Sequence, residues 1–293
     1  MNGPLKFMIC EGPVCKGSPT EGSERAYRYL KENGLPELFG DAAEFFDYDG
    51  ATDVPEEKRD PRLCQLETVM TVCRGVYENV KRAREGGNFP VTLGGDHSLV
   101  MSSVAAAADA YGAENVAVIY VDAHADINTE KTSPSGMIHG MPLAAAMGLC
   151  TDELDVGENK VNLLGKNLYI IGAHSIDRGE YQIIKREGVH LFTADDVRRR
   201  GYRDVVDEVL AATEGMKVHL SFDVDSIKGS DFPATGYALP GSLPYLTVRR
   251  ILERIWNKAG NIVSLDVVEY NPSLDKDGKC LAKMLDIFSI FKG

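Results

Sequence analysis

Short apolar runs rich in β-branched residues recur along the chain: "FMIC" at 7–10, "PVTLGG" at 90–95, "VAVIYVD" at 116–122, "LYIIGAH" at 168–174, "VHLSFDVD" at 218–225 and "IVSLDVVE" at 262–269. Between them the apolar positions change to three- and four-residue spacing and close on a glycine, as in 23–34, 66–85, 98–112 and 246–260. The first pattern predicts strands and the second amphipathic helices. Strands apolar on both faces belong to a parallel sheet covered on each side, so the alternation predicts an α/β fold, a three-layer α/β/α sandwich with a mainly parallel sheet. Polar stretches at 47–62 and 151–160 read as surface loops, and no spacer or repeat divides the chain. Residues 1–293 are therefore expected to form one domain.

Composition narrows the functional classes. With 44% hydrophobic residues a large core can be buried. The formal net charge of −12, with basic residues clustered only at 198–200, argues against nucleic acid or anionic membrane as partner and favours a small cationic one. The N-terminal "MNGPLKFMICEG" lacks the basic and long apolar regions of a signal peptide, and no apolar run is long enough to span a bilayer. A cytoplasmic protein with six reduced, structural cysteines is the expectation.

In parallel α/β sheets ligands bind beyond the carboxyl ends of the strands. Asp96, His97, Asp122, His124, Asp126, His174, Asp177, Asp223, Asp225, Asp266 and Glu269 all fall there. Any one of them alone is more simply a cap or turn residue. Gathered in one pocket, Asp122, Asp126, Asp223 and Asp225 would repel unless positive charge lay among them. Two divalent cations supply it, with His97 and His124 as neutral donors. Oxygen-rich ligands with two imidazoles and no thiolate favour Mn²⁺, with Zn²⁺, Co²⁺ or Fe²⁺ also fitting. Such a pair can turn water into a nucleophile at neutral pH.

Three blocks, "GGDHS" (94–98), "DAHADIN" (122–128) and "SFDVDS" (221–226), resemble the signatures of the ureohydrolase family, which includes arginase, agmatinase, guanidinobutyrase and formimidoylglutamase. The likeness runs from about "PVCKGSPTEG" to "VVEYNPSLD" and implies an arginase-like fold, a binuclear Mn²⁺ site with two ions per subunit, and a homotrimer or homohexamer. By position it assigns one ion to His97, Asp122, Asp126 and Asp223 and the other to Asp122, His124, Asp223 and Asp225. The loop "DINTEKTSPSGMIHG" (126–140) resembles the arginase version. Asn128, Ser133 and Ser135 would then hold a substrate α-carboxylate, and His139 would act as proton shuttle or general acid. Asp177 and Glu180, in "IDRGE", would face the α-amino group. Glu269 would bind the guanidinium, a planar cation of N–H donors suited to an acceptor-only carboxylate. The reaction so implied is cleavage of L-arginine to L-ornithine and urea by a metal-bridging hydroxide, with Asp126 and the metals stabilising the tetrahedral intermediate.

Several residues depart from the family pattern: Lys228 and Gly229 replace an Asp-Pro, Tyr237 stands for the usual Thr after "ATG", Ala125 replaces a common Thr and Ser175 an acid. They keep open a different guanidino substrate, such as agmatine or a guanidino acid. Two readings from outside guanidine hydrolysis are a two-metal phosphoesterase and a metal-free relative with an idle site. The first usually draws on further downstream histidine pairs, and the second needs lost ligands; neither condition is met. Without the resemblance, His139 reads equally as a helix cap, Ser133 and Ser135 as turn residues, and His219 as a satisfied histidine inside a strand.

Overall fold

The computed structural model describes residues 5–56 and 60–292. Eight strands form one sheet: β1 (Phe7–Glu11), β2 (Ala43–Phe46), β3 (Phe89–Leu93), β4 (Val116–Val121), β5 (Leu168–Ala173), β6 (His190–Thr193), β7 (Lys217–Asp223) and β8 (Ile262–Val268). Their order is β2-β1-β3-β8-β7-β4-β5-β6 and every neighbouring pair is parallel. All six strands expected from the apolar runs are present. The two additional ones, β2 and β6, lie at the edges, are four residues long and are mostly half-exposed, so no continuous apolar run betrays them.

Alternation along each strand divides the core in two. Ala117, Ile119 and Val121 of β4 join one apolar cluster with the helices at Ala26–Glu32, Tyr202–Ala212, Tyr245–Lys258 and Lys279–Lys292. Val116, Val118 and Tyr120 join the other, with the helices at Leu66–Glu85, Val100–Tyr111, Pro142–Ala146 and Arg178–Glu187. This is the expected three-layer α/β/α arrangement. The helix expected over 23–34 starts as a 3-10 turn (Ser23–Arg25), runs over Ala26–Glu32 and stops before Gly34, whose φ of 107° breaks it.

The predicted surface loop 47–62 includes residues 57–59, which lie outside the described residues. All six cysteines are free, and burial raises the Cys10 and Cys15 thiols to about 12, which leaves them inert at neutral pH. Among the described residues no helix is long and apolar enough to cross a membrane.

Four adjacent strands, β3, β8, β7 and β4, end at one edge, and their following loops carry most of the residues singled out above. The β3 loop turns sharply at Gly94 and Gly95, both at positive φ. A Cβ on Gly95 would stand 2.4 Å from the Gly12 carbonyl oxygen, so only glycine lets the chain turn His97 into the sheet edge.

Candidate metal centre

Strand period places the ligand candidates. Asp122 follows the last residue of β4 and Asp223 closes β7, while His97 opens the 3-10 turn after β3. Five of the six predicted ligands fall into two overlapping groups, His97–Asp122–Asp223 and Asp122–His124–Asp225. Within each group the ligand atoms lie within 4.8 Å of one another. Asp126 completes the set: its Oδ2 is 3.3 Å from His97 Nδ1.

The carboxylates are oriented by backbone. Asp122 Oδ1 accepts from the His124 N–H (2.6 Å), Asp223 Oδ1 from the Asp225 N–H (2.7 Å) and Asp225 Oδ1 from the Ala123 N–H (3.2 Å). Each Oδ2 is thereby turned inward. Asp122 Oδ2 and Asp223 Oδ2 stand 2.9 and 3.1 Å from His97 Nδ1, and Asp225 Oδ2 stands 2.9 Å from His124 Nδ1.

Electrostatics shows what such an arrangement lacks. Burial, then the charges of Asp225 and Asp122, push the Asp223 carboxyl well above its ordinary range; burial and Asp122 push Asp225 up to about 7. Burial opposes ionisation of Asp122 too, but the adjacent His124 and His97 imidazoles outweigh it and hold that carboxyl low. Burial would likewise depress both imidazoliums, yet the surrounding carboxylates raise His97 and His124 far above the usual histidine range. Carboxylates packed this closely need positive charge among them. His97 Nδ1 and Asp122 Oδ2 are also buried without a satisfied hydrogen bond. A thiolate-free set of four buried carboxylates, the buried His97 and the partly exposed His124, with orphaned inward atoms, fits a pair of divalent cations.

A cleft of about 120 Å³ opens over this cluster, lined among others by His124, Asp126, Asn128, Ser133, Ser135, His139, Asp177, Glu180, Tyr237 and Glu269. All five residues expected to contact substrate are on it, as are His139 and Glu269. Glu269 is 4% exposed; its Oε1 accepts from the His97 N–H (3.1 Å) and lies 3.5 Å from His139 Nδ1. Burial alone would lower the His139 imidazolium, but Glu269 outweighs it and raises it to about 9.

Ser133 Oγ accepts from the Gly136 N–H (3.0 Å) and Ser135 Oγ from the Met137 N–H (3.2 Å), and the two hydroxyls lie 3.5 Å apart, so that one can donate to the other and one proton is left to donate elsewhere. Asn128 Nδ2 donates to Asp177 Oδ2 (3.0 Å) and keeps a second N–H free. Glu180 commits both oxygens to backbone, Oε1 to Ile127 (3.1 Å) and Oε2 to Asp177 (2.8 Å), so it braces the loop that carries Asp126. Burial pushes its carboxyl up to about 7.

Other residues expected at this edge lie elsewhere. Asp266 points into the sheet layer, where it accepts from Ser103 Oγ (2.6 Å) and sits 3.1 Å from His219 Nε2. His219 is fully buried, with Nδ1 2.8 Å from Ser264 Oγ, but its Nε2 makes no hydrogen bond, so it is only half satisfied. Asp96 accepts from the Gly17 and Ser98 N–H groups, and neither His174 nor Lys228 lines the cleft. Two residues inside apolar strands join the site without being expected there: Ser221 Oγ is 2.8 Å from His97 Nε2, and Tyr120 donates to Asp126 Oδ2 (2.8 Å). Strand period is the signal that finds them, since 120 shares a face with 122 and 221 with 223.

A family model described as "Arginase family" matches residues 22–287. The arginase of Bacillus subtilis is 37% identical over 242 residues, covering 78% of this chain and 78% of the relative. The arginase of Emericella nidulans is 37% identical over 275 residues, covering 88% and 84%. The crystal structure of arginase from Bacillus cereus superposes with a TM-score of 0.89 at 32% identity, covering 99% of this chain and 98% of that one.

Proposed function

The chain belongs to the arginase family of ureohydrolases, and from that premise we propose that it hydrolyses L-arginine to L-ornithine and urea with two Mn²⁺ ions in the cleft. The observation that carries this reading is the juxtaposition of two overlapping Asp/His groups with a buried carboxylate, Glu269, and a loop that brings two serine hydroxyls to the same cleft. His97, Asp122, Asp126 and Asp223 would hold one ion, and Asp122, His124, Asp223 and Asp225 the other. When bound, the cations supply the Lewis acidity that makes water nucleophilic at neutral pH and neutralise the clustered carboxylates.

The protein's own groups do the rest. Glu269 accepts N–H bonds from the guanidinium and orients its plane. Asp126 accepts hydrogen bonds from the reacting centre as its carbon becomes tetrahedral. His139, whose Nδ1 lies 3.5 Å from Glu269 Oε1, donates the proton that lets the ornithine amine leave. At the far end Asn128, Ser133 and Ser135 donate to the α-carboxylate, while Asp177 attracts the α-amino group and Glu180 holds the loop in place.

The test is production of urea and ornithine by Mn²⁺-loaded protein from L-arginine, set against agmatine and 4-guanidinobutyrate. Efficient turnover of arginine is expected; turnover of another guanidine without arginine would refute the substrate assignment. That second reading is favoured by Tyr237, whose ring stands 5.4 Å from His139 and 5.7 Å from His124 and narrows the cleft wall.

A further inference from the structure

Tyr120 is the fifth of six residues in β4 and is completely buried. Two observations set it apart from a side chain that merely fills space. Its ring lies nearly parallel to the His97 imidazole, with centroids 4.3 Å apart and planes 10° apart. Its hydroxyl donates to Asp126 Oδ2 at 2.8 Å. One side chain thus contacts two residues assigned above to the same cation, and Ser221 Oγ closes the other side of His97 at Nε2.

We propose that Tyr120 is a positioning residue for that one cation, fixing the rotation of the Asp126 carboxylate through its hydroxyl and the plane of His97 through its ring. The inference rests on the binuclear reading of the cleft. Asp126 needs such a brace because its backbone sits at φ 47°, outside the ordinary range for a non-glycine residue, and its side-chain aim is not set by regular structure. Its carboxylate also differs from Asp122, Asp223 and Asp225, which are each oriented by a backbone N–H; the side-chain partner of Asp126 is the phenol. Outer partners of metal ligands typically alter metal affinity 10- to 100-fold when removed.

The test is Tyr120→Phe, which keeps the ring and its stack and removes only the hydroxyl. Mn²⁺ stoichiometry and affinity are read by calorimetric titration, and the ion pair by electron paramagnetic resonance, where a mononuclear six-line signal replaces the spin-coupled one when one ion is lost. Circular dichroism of the metal-free protein checks that the variant folds. Expected are a roughly 10- to 100-fold weaker second ion, an emergent mononuclear signal, and a fall in kcat at near-constant KM that excess Mn²⁺ partly reverses. Tyr120→Trp, which offers an indole N–H on an aromatic ring, is expected to hold the second ion better than Phe does. If wild-type protein holds two ions and the Phe variant holds two with unchanged affinity, or if Trp performs no better than Phe, the positioning role of the hydroxyl is overturned. If wild-type protein itself never holds two ions, the binuclear reading falls and this inference falls with it.

Discussion

Asp225→Asn exchanges a buried carboxylate for an uncharged isostere, and the sign of its effect on stability should depend on metal. Asp225 is 2% exposed and its carboxyl is raised from 3.8 to about 7 by burial and by Asp122. The sign follows from proton counting: a carboxyl with a raised folded-state pKa holds a proton that the unfolded chain has released, so the contribution of Asp225 to metal-free stability is greatest below pH 4 and is lost as pH rises to 7. The shift of about three units corresponds to an upper bound of about 4 kcal/mol at pH 8, and to under about 2 kcal/mol at pH 5. For a chain of this length 1 kcal/mol moves Tm by roughly 2 °C, so the metal-free Asn variant should melt up to about 8 °C above wild type at pH 8 and clearly less above it at pH 5. Adding Mn²⁺ should reverse the order, because wild type gains the binding free energy of a complete ligand set and the variant does not. Differential scanning calorimetry at both pH values, with chelator and with Mn²⁺, measures all four differences. A metal-free variant no more stable than wild type at pH 8, or an advantage independent of pH, would refute the argument that the cluster is held in tension by missing positive charge.

Three further outcomes are expected. Glu269→Gln should retain two Mn²⁺ ions per chain by elemental analysis yet lose about 10²–10³-fold in kcat, since the amide presents donors where the guanidinium needs acceptors. Asp266→Ala should destabilise the fold by about 3–5 kcal/mol in urea melts by stranding the buried His219 and the Ser103 hydroxyl, while Mn²⁺ stoichiometry stays unchanged. Tyr237→Thr should widen the wall beside His139 and His124 and raise relative turnover of bulkier guanidines over arginine in a substrate panel, whereas an unchanged ratio would show that the ring does not select substrate.

The strands that frame the cleft were legible in the sequence because burial on both faces forces long apolar runs, and the six ligand candidates were legible because each follows such a run. β2 and β6 were not, being short edge strands with mixed polarity. Nor was the division of labour among the acids. Asp266 precedes Glu269 by only three residues, but it lies inside β8 on the face of Ser264, one row below the strand mouth, and the chain has not yet turned. Tyr120 and Ser221 read as strand filler because an aromatic and a small hydroxyl both suit a buried sheet. Strand period puts them on the face of Asp122 and Asp223, but their roles emerge only from contacts made across strands and loops distant in sequence.

Backbone conformation adds a last constraint. Among the described residues, three non-glycines have positive φ, and two of them, Asp126 (47°) and Glu269 (64°), line the cleft. Each such conformation costs roughly 1–3 kcal/mol and persists where surrounding contacts over-determine it. Here they do: the Glu269 N–H donates to the Gly95 carbonyl (2.9 Å), and the Asp126 carbonyl accepts from the Leu143 N–H (3.1 Å). Gly95 belongs to the turn that delivers His97, and Leu143 to the helix that follows His139, so each strained carboxylate is tied to the segment carrying one of the two imidazoles nearest it. The apolar strands supply stability in excess of these costs, and the loops spend it on aim. That is why local sequence rules fail at these two positions and hold across the sheet beneath them.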